Sequence, residues 1–155
     1  MQNDRFVLDA NVFLEYIFDR ELQENSKQIL QDAILKKILL LVPSLLLDEI
    51  TEVLSGNLDN LEAVKNHLKY IEKLAKQGVL QIIVPNTEVR MKAIEIARTG
   101  NAKSGYPDLT DSLYHALAIL NDAVFITNDL KHIRKVKQFS HIEELSKYEN
   151  ISAKA

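Results

Sequence analysis

Two aspartates stand directly after short apolar runs that have the composition of β-strands. Asp9 follows the run that begins at Arg5, and Asp129 follows the run Ala123–Thr127. A carboxylate can bind a hard cation, but aspartate is also a preferred helix N-cap, and a helical pattern follows each residue. Capping is the simpler explanation for either residue alone. Two acids after two strands favour a shared ligand site, because parallel sheets bind ligands beyond the carboxyl ends of their strands.

A third carboxylate, Glu49, lies on the apolar side of a predicted helix. At helical spacing Glu49 falls between Leu45 and Val53, whereas its neighbour Asp48 lies on the polar arc. A carboxylate that faces a core needs a partner, because burying it alone is costly. Two explanations remain open: a bound cation, or a side chain at the border of the helix that reaches solvent.

A fourth carboxylate, Asp111, lies in the first turn of a helix predicted over 109–120. The apolar stripe of this helix is formed by Leu109, Leu113, Leu117 and Leu120. Asp111 is opposite this stripe, beside Tyr114, His115 and Ala118. The helix geometry therefore favours a first-turn acid that complements the helix dipole, with Asp108 as the N-cap.

The elements that must position these acids alternate between strands and helices. Strands are predicted over residues 5–9, 38–42, 79–84, 123–127 and 139–142. Helices are predicted over 10–18, 25–37, from Pro43 onward, 58–76, 87–98, 109–120 and 130–136. This alternation predicts an α/β fold, a three-layer α/β/α sandwich around a central, mostly parallel sheet. We expect one domain over residues 1–150 and a tail over 151–155.

The composition narrows the class of protein without identifying it. The chain has 155 residues, 46% of them hydrophobic, and no cysteine, which excludes disulfides and thiolate metal sites. Its net charge of −3 shows no overall preference for nucleic acids, so any such binding must be local. No apolar stretch approaches the roughly 20 residues of a membrane span, and no signal peptide is evident. We expect a cytoplasmic protein.

Four motifs together resemble the PIN-domain ribonuclease family, particularly its bacterial toxin branch. The resemblance extends from Phe6 to about Arg134. Its carriers are Val7-Leu-Asp-Ala-Asn11, Pro43-Ser-Leu-Leu-Leu-Asp-Glu-Ile50, Leu109-Thr-Asp-Ser-Leu-Tyr-His-Ala-Leu-Ala118 and Val124-Phe-Ile-Thr-Asn-Asp129. The segment Asn121-Asp-Ala123 departs from the family pattern, which often has a glycine before this strand.

The resemblance implies a function and assigns a role to each acid. It implies a metal-dependent endoribonuclease that leaves a 5′-phosphate, and that forms a homodimer and binds an antitoxin protein whose tail covers the active site. The oxygen-only ligand set suits Mg²⁺ or Mn²⁺. The implied catalytic and metal-binding residues are Asp9, Glu49, Asp111 and Asp129, with Asn11 and Thr127 in support.

A basic segment follows Asp129. Lys131, Arg134 and Lys135 could bind the RNA backbone, but cations are also favoured in the last turn of a helix. The histidines at 67, 115 and 141 show no ligand spacing, so we expect them at the surface or its border.

Two alternative functions remain open. The first is a phosphohydrolase with Asp9 as nucleophile, as in the haloacid-dehalogenase family, although that family requires an aspartate where this chain has Asn11. The second is a PIN-like binding module without catalysis, although all four acids are present.

Overall fold

The fold is built on a five-stranded parallel sheet, seen in a computed structural model that describes residues 4–148. The strands are β1 (Arg5–Leu8), β2 (Leu39–Pro43), β3 (Leu80–Ile83), β4 (Val124–Thr127) and β5 (Ile142–Glu144). Their spatial order is β3-β2-β1-β4-β5. The order reverses between β1 and β4, so the switch point lies where Asp9 and Asp129 leave the sheet.

Within residues 4–148, seven α-helices connect the strands. They are α1 (Ala10–Ile17), α2 (Gln23–Ile34), α3 (Leu45–Asn57), α4 (Leu61–Lys76), α5 (Thr87–Arg98), α6 (Leu109–Leu120) and α7 (Leu130–Lys135). Helix α1 contacts α2 and α3, whereas α5 packs along α6, which covers β1, β2 and β4. Because parallel crossovers are right-handed, α1–α4 lie on one face of the sheet and α5–α6 on the other. The predicted three-layer α/β/α sandwich is confirmed.

The central strands are buried because helices cover both faces of the sheet. Phe6, Val7 and Leu8 of β1 are almost completely buried, as are Leu40, Leu41 and Val42 of β2. Such continuous apolar runs are typical of a parallel sheet with both faces covered. The edge strands β3 and β5 are more accessible. The rigid middle of the sheet therefore carries the residues that follow β1 and β4.

The C-terminal end of the described chain is fastened to the first half. The ring of Tyr148 packs edge-on against Phe6, with 5.6 Å between ring centroids. Its hydroxyl donates a 2.7 Å hydrogen bond to the buried carboxylate of Asp32 on α2. Asn25, also on α2, donates to the carbonyl oxygens of Leu145 and Ser146. Residues 145–148 thus help to close the core beside β1.

Two predicted element boundaries were wrong. Pro43 does not open α3 but ends β2, where it pairs in register with Ile83. The fixed backbone angle of proline suits an extended strand end as well as a first helical turn. The last strand begins at Ile142 rather than Phe139, because Phe139 packs edge-on against His115 instead.

The remaining sequence predictions concern segment ends and membrane spans. The proposed tail over 151–155 lies outside the described residues. Among the helices of residues 4–148, each is too short or too polar to cross a membrane.

Candidate active site

Asp9 lies at the switch point between β1 and β4. Its backbone amide donates to the carbonyl of Ile126, which joins the ends of the two strands. The side chain is only 6% exposed, and its Oδ2 atom accepts a 2.7 Å hydrogen bond from the hydroxyl of Thr127. It forms no helix-capping hydrogen bond, although the amides of Ala10 and Asn11 are close enough to lower its pKa. Asp9 is thus the N-cap residue of α1, but a capping hydrogen bond does not explain the burial of its side chain.

Thr127 and Asn11 connect Asp9 to Asp129. The Thr127 hydroxyl accepts a 3.0 Å hydrogen bond from the amide of Asp129. Asn11 donates to Asp9 Oδ2 at 3.3 Å, and its Oδ1 atom accepts from the amide of Asn128 at 3.1 Å. These contacts fix the loop after β4 against the start of α1. Thr127 thereby contacts both Asp9 and Asp129, whereas Asn11 contacts Asp9 and the residue before Asp129.

Asp129 does cap a helix. Its Oδ1 atom accepts hydrogen bonds from the amides of Lys131 and His132, at 3.0 and 3.1 Å. The second oxygen of Asp129 accepts none from a residue within 4–148. Capping therefore explains the location of Asp129 and holds the carboxylate in one orientation, while one oxygen remains available to a ligand.

Glu49 points toward the interior of the site. The prediction that Glu49 rather than Asp48 faces inward is confirmed, since Glu49 is half-buried and Asp48 is exposed. Its Oε1 atom accepts a hydrogen bond from the hydroxyl of Tyr114 on α6. The ring of Tyr114 is fully buried and stacked on Phe125, at 5.7 Å between centroids. A rigid side chain from the opposite layer therefore holds Glu49 in place.

Asp111 faces the interior, contrary to the helical-wheel argument. Tyr114, His115 and Ala118, which share its side of α6, are completely buried. Leu109 and Leu120 of the supposed apolar stripe are 50% and 38% exposed. The argument failed because α6 lies between α5 and the sheet and is buried over most of its circumference. Asp108 does cap α6, as predicted, by accepting from the amides of Thr110 and Asp111.

The acids raise one another's pKa. The pKa of Asp111 is raised to about 8, chiefly by burial and then by the charges of Asp9, Asp129, Asp108 and Glu49. Burial is also the main cause that raises the pKa of Asp9 to about 6, with a contribution from Glu49 and opposition from the Thr127 hydrogen bond. The pKa of Glu49 is raised by burial and lowered by Tyr114. The four acids thus belong to one electrostatic cluster.

No basic side chain within residues 4–148 compensates the charge of this acid cluster. Within residues 4–148 no lysine, arginine or histidine forms an ion pair with any of the four acids. Carboxylate oxygens, crowded and uncompensated, fit a hard divalent cation. No three side chains of the described histidines, aspartates and glutamates form a ready-made ligand set. The chemistry of the donors therefore suits a divalent ion, while fewer than three of these described side chains are grouped as its ligands.

His115, which was predicted at the surface or its border, is buried, and so is His132 of α7. His115 is completely buried and bonded through Nε2 to the carbonyl of Ser140, and His132 is 2% exposed. Their rings meet edge to face at 5.7 Å. Burial, with His115 as the next cause, lowers the pKa of His132 to about 4. His132 is therefore neutral and does not belong to the basic surface of α7, where Lys131 and Arg134 are exposed and Lys135 is partly exposed.

Sequence reasoning missed two buried groups that support the site. One is the hydroxyl of Tyr114, although its spacing of three residues from Asp111 was visible. The other is Glu15 of α1, which is 5% exposed. Glu15 accepts hydrogen bonds from the amide of Leu22 at 2.9 Å and from the side chain of Asn128 at 2.8 Å. Glu15 thereby fixes the residue next to Asp129.

A sequence model of the PIN domain matches residues 6–138 of this chain. Among the curated proteins, none matches the sequence significantly.

Solved structures with the same fold share little sequence with this chain. VapBC2 from Rickettsia felis, bound to a promoter DNA fragment, superimposes with a TM-score of 0.67 at 19% identity, covering 90% of this chain and 98% of that one. DNA-bound VapBC from Salmonella typhimurium gives 0.67 at 18% identity, covering 94% and 99%. A toxin-antitoxin complex from Klebsiella pneumoniae gives 0.59 at 14% identity, covering 90% and 96%. These likenesses establish the fold.

Proposed function

Since the chain belongs to the PIN-domain family, we propose that it is a metal-dependent endoribonuclease whose active site is formed by Asp9, Glu49, Asp111 and Asp129. The observation that carries the proposal is the electrostatic cluster itself. After burial, the charges of Asp9, Asp129 and Glu49 raise the pKa of Asp111, and the charge of Glu49 raises the pKa of Asp9. Within residues 4–148 no cation forms an ion pair with any of the four acids. A cluster of this kind lowers the stability of the fold, and groups with such perturbed pKa values are concentrated at functional sites.

Each acid has a protein contact or an environment that suits it to hold Mg²⁺ or Mn²⁺. Thr127 holds one oxygen of Asp9, and Tyr114 holds one oxygen of Glu49. The amides of α7 hold one oxygen of Asp129. When bound, the cation supplies Lewis-acid polarisation of a phosphodiester and stabilises the charge of its transition state. The chain's own contribution is to hold the carboxylates and to exclude water around Asp9.

Cleavage assays with charge-removing variants test this proposal. We expect the wild-type protein to cleave RNA in the presence of Mn²⁺. We expect this cleavage to be abolished in the Asp9→Asn and Glu49→Gln variants. Asp48→Asn is the matched control for Glu49→Gln, because Asp48 is the adjacent acid of α3 and is exposed. Equal activity of wild type and Asp9→Asn would refute the assignment. The same result would also contradict the alternative hypothesis of a phosphohydrolase that uses Asp9 as its nucleophile.

We further propose that the protein is the toxin of a toxin–antitoxin pair and forms a homodimer. The support is the family membership and the similarity to the Klebsiella pneumoniae toxin-antitoxin complex. A short open reading frame next to the gene, whose product co-purifies with this protein and inhibits RNA cleavage, would support an antitoxin. Light scattering of the purified protein tests the dimer. A neighbouring product that leaves cleavage unchanged would contradict the toxin assignment.

A further inference from the structure

An exposed aromatic ring stands just before the helix that carries Asp111. Tyr106 is 68% exposed and lies two residues before Asp108, the cap of α6. The face of this ring is therefore accessible to a ligand. Asp108 is close enough to Asp111 and Glu49 to raise the pKa of both. The ring thus flanks the acid cluster on the side of α6.

The position of this ring is built into the backbone. Residues Asn101 and Gly105 form a small antiparallel bridge, with N–O distances of 3.1 and 2.8 Å. A Cβ atom on Gly100 would lie 2.6 Å from Cδ1 of Tyr106, 2.7 Å from its Cα and 2.5 Å from the carbonyl oxygen of Gly105. Only glycine permits this approach. The Tyr106 ring is therefore seated on the backbone of Gly100.

The hairpin that Asn101 and Gly105 close is joined to α7, the basic helix after Asp129. The side chain of Asn101 donates to the carbonyl of Arg134 at 3.3 Å. The side chain of Gln138 donates to the carbonyl of Thr99. These bonds place the hairpin beside α7, where Lys131 and Arg134 are exposed, and Lys103 of the hairpin is exposed too. An aromatic ring and several cations therefore lie on the two segments that adjoin Asp111 and Asp129.

We propose that Tyr106 is a stacking platform for an unpaired base of single-stranded RNA, while Lys103, Lys131 and Arg134 bind the adjoining phosphates. The inference rests on the proposed ribonuclease function and adds to it the side chains that hold the RNA beside the acids. Proteins that bind single strands combine a cationic track with aromatic side chains on which bases stack. Bases within a duplex are already stacked, so a fixed ring cannot reach their faces.

Equilibrium binding of a short fluorescein-labelled single-stranded RNA, measured by anisotropy in the uncleaving Asp9→Asn background with Mg²⁺, tests the platform. We expect Tyr106→Ala to weaken binding about 5- to 100-fold and Tyr106→Phe to leave it unchanged. Gly100→Ala should weaken binding as well, because its Cβ displaces the ring. Leu61→Ala is the control, since Leu61 is 81% exposed on α4. Thermal unfolding checks that each variant remains folded.

The outcomes separate this inference from the proposed function. The platform would be overturned if Tyr106→Ala and its Asp9→Asn parent bound single-stranded RNA with equal affinity. It would also be overturned if Tyr106→Ala weakened the binding of duplex RNA by the same factor. Either result would hold even if the wild-type protein cleaves RNA. If Tyr106 instead binds a protein partner, we expect the first of these results, an unchanged affinity for single-stranded RNA.

Hydrolysis of bis(p-nitrophenyl) phosphate, a diester without a nucleobase, measures the nuclease chemistry of the wild-type protein separately from base stacking. If the wild-type protein hydrolyses neither RNA nor bis(p-nitrophenyl) phosphate, the proposed nuclease function is contradicted. The anisotropy measurement still decides whether Tyr106 stacks on a base.

Discussion

Removing the charge of Asp111 should stabilise the metal-free protein at high pH. The pKa of this carboxyl is raised from 3.8 to about 8, first by burial and then by its acidic neighbours. The folded state therefore keeps a proton that the unfolded chain releases at lower pH. As the pH rises from about 4 to about 8, folding becomes progressively less favourable, and above about 8 the full cost is present. Asp111→Asn removes this cost and keeps the shape of the side chain.

The size of the effect follows from the interval between the two pKa values. At about 1.36 kcal/mol per pKa unit, the interval from 3.8 to about 8 sets a ceiling of about 6 kcal/mol. Asp111 is only partly buried, so solvent screens its charge, and its neighbours share the same repulsion. We therefore expect Asp111→Asn to raise the free energy of unfolding by about 2–3 kcal/mol at high pH and by almost nothing near pH 4.

Urea denaturation in the presence of EDTA, at several pH values from about 4 to about 9, measures this difference. Asp48→Asn is the control, because Asp48 is exposed on α3 and should show no pH-dependent gain. Added Mn²⁺ should stabilise wild type more than Asp111→Asn, which narrows or reverses the gap. A difference between wild type and Asp111→Asn that does not change with pH would refute the electrostatic cluster.

Three further substitutions test other contacts. Tyr114→Phe removes the hydroxyl that donates to Glu49 but keeps the ring; we expect about tenfold weaker Mn²⁺ binding by calorimetry, and an unchanged affinity would contradict the positioning role. Tyr148→Phe leaves the buried carboxylate of Asp32 without one donor; urea denaturation should show a loss of about 1.5–3 kcal/mol, and full stability would argue against this contact. Asp122 has a φ of 50° in the left-handed region; Asp122→Gly should stabilise by about 0.5–1 kcal/mol, a gain that thermal unfolding would detect.

The sequence located the ends of the two central strands β1 and β4 better than it located helix faces. Asp9 and Asp129 were expected at one edge of a parallel sheet, and the structure has them on either side of the β1–β4 switch point. This inference succeeds because a strand buried on both faces has an unmistakable composition and its end is therefore easily found. That these residues bind metal and cut RNA stays a prediction.

Helix faces were harder to assign where a helix is buried on several sides. The wheel was correct for Glu49, since α3 has an exposed side that carries Asp48. It was wrong for Asp111, because α6 is covered by α5 and by the sheet and its polar residues lie inside as well. Spacing also could not show that His115 and His132 meet in the core, since their contact depends on the packing of α6 against the segment after β4.

The strand order has a consequence for how the protein is made. β1 precedes β2 and β3 in the chain but lies in the middle of the sheet, and its neighbour β4 follows all three. The hydroxyl that holds Asp9 belongs to a residue 118 positions later in the chain. During synthesis, Asp9 therefore has no Thr127 and no Asp129 until β4 and the loop after it have been made. A nascent chain that ends before β4 lacks this pairing and any function that depends on it.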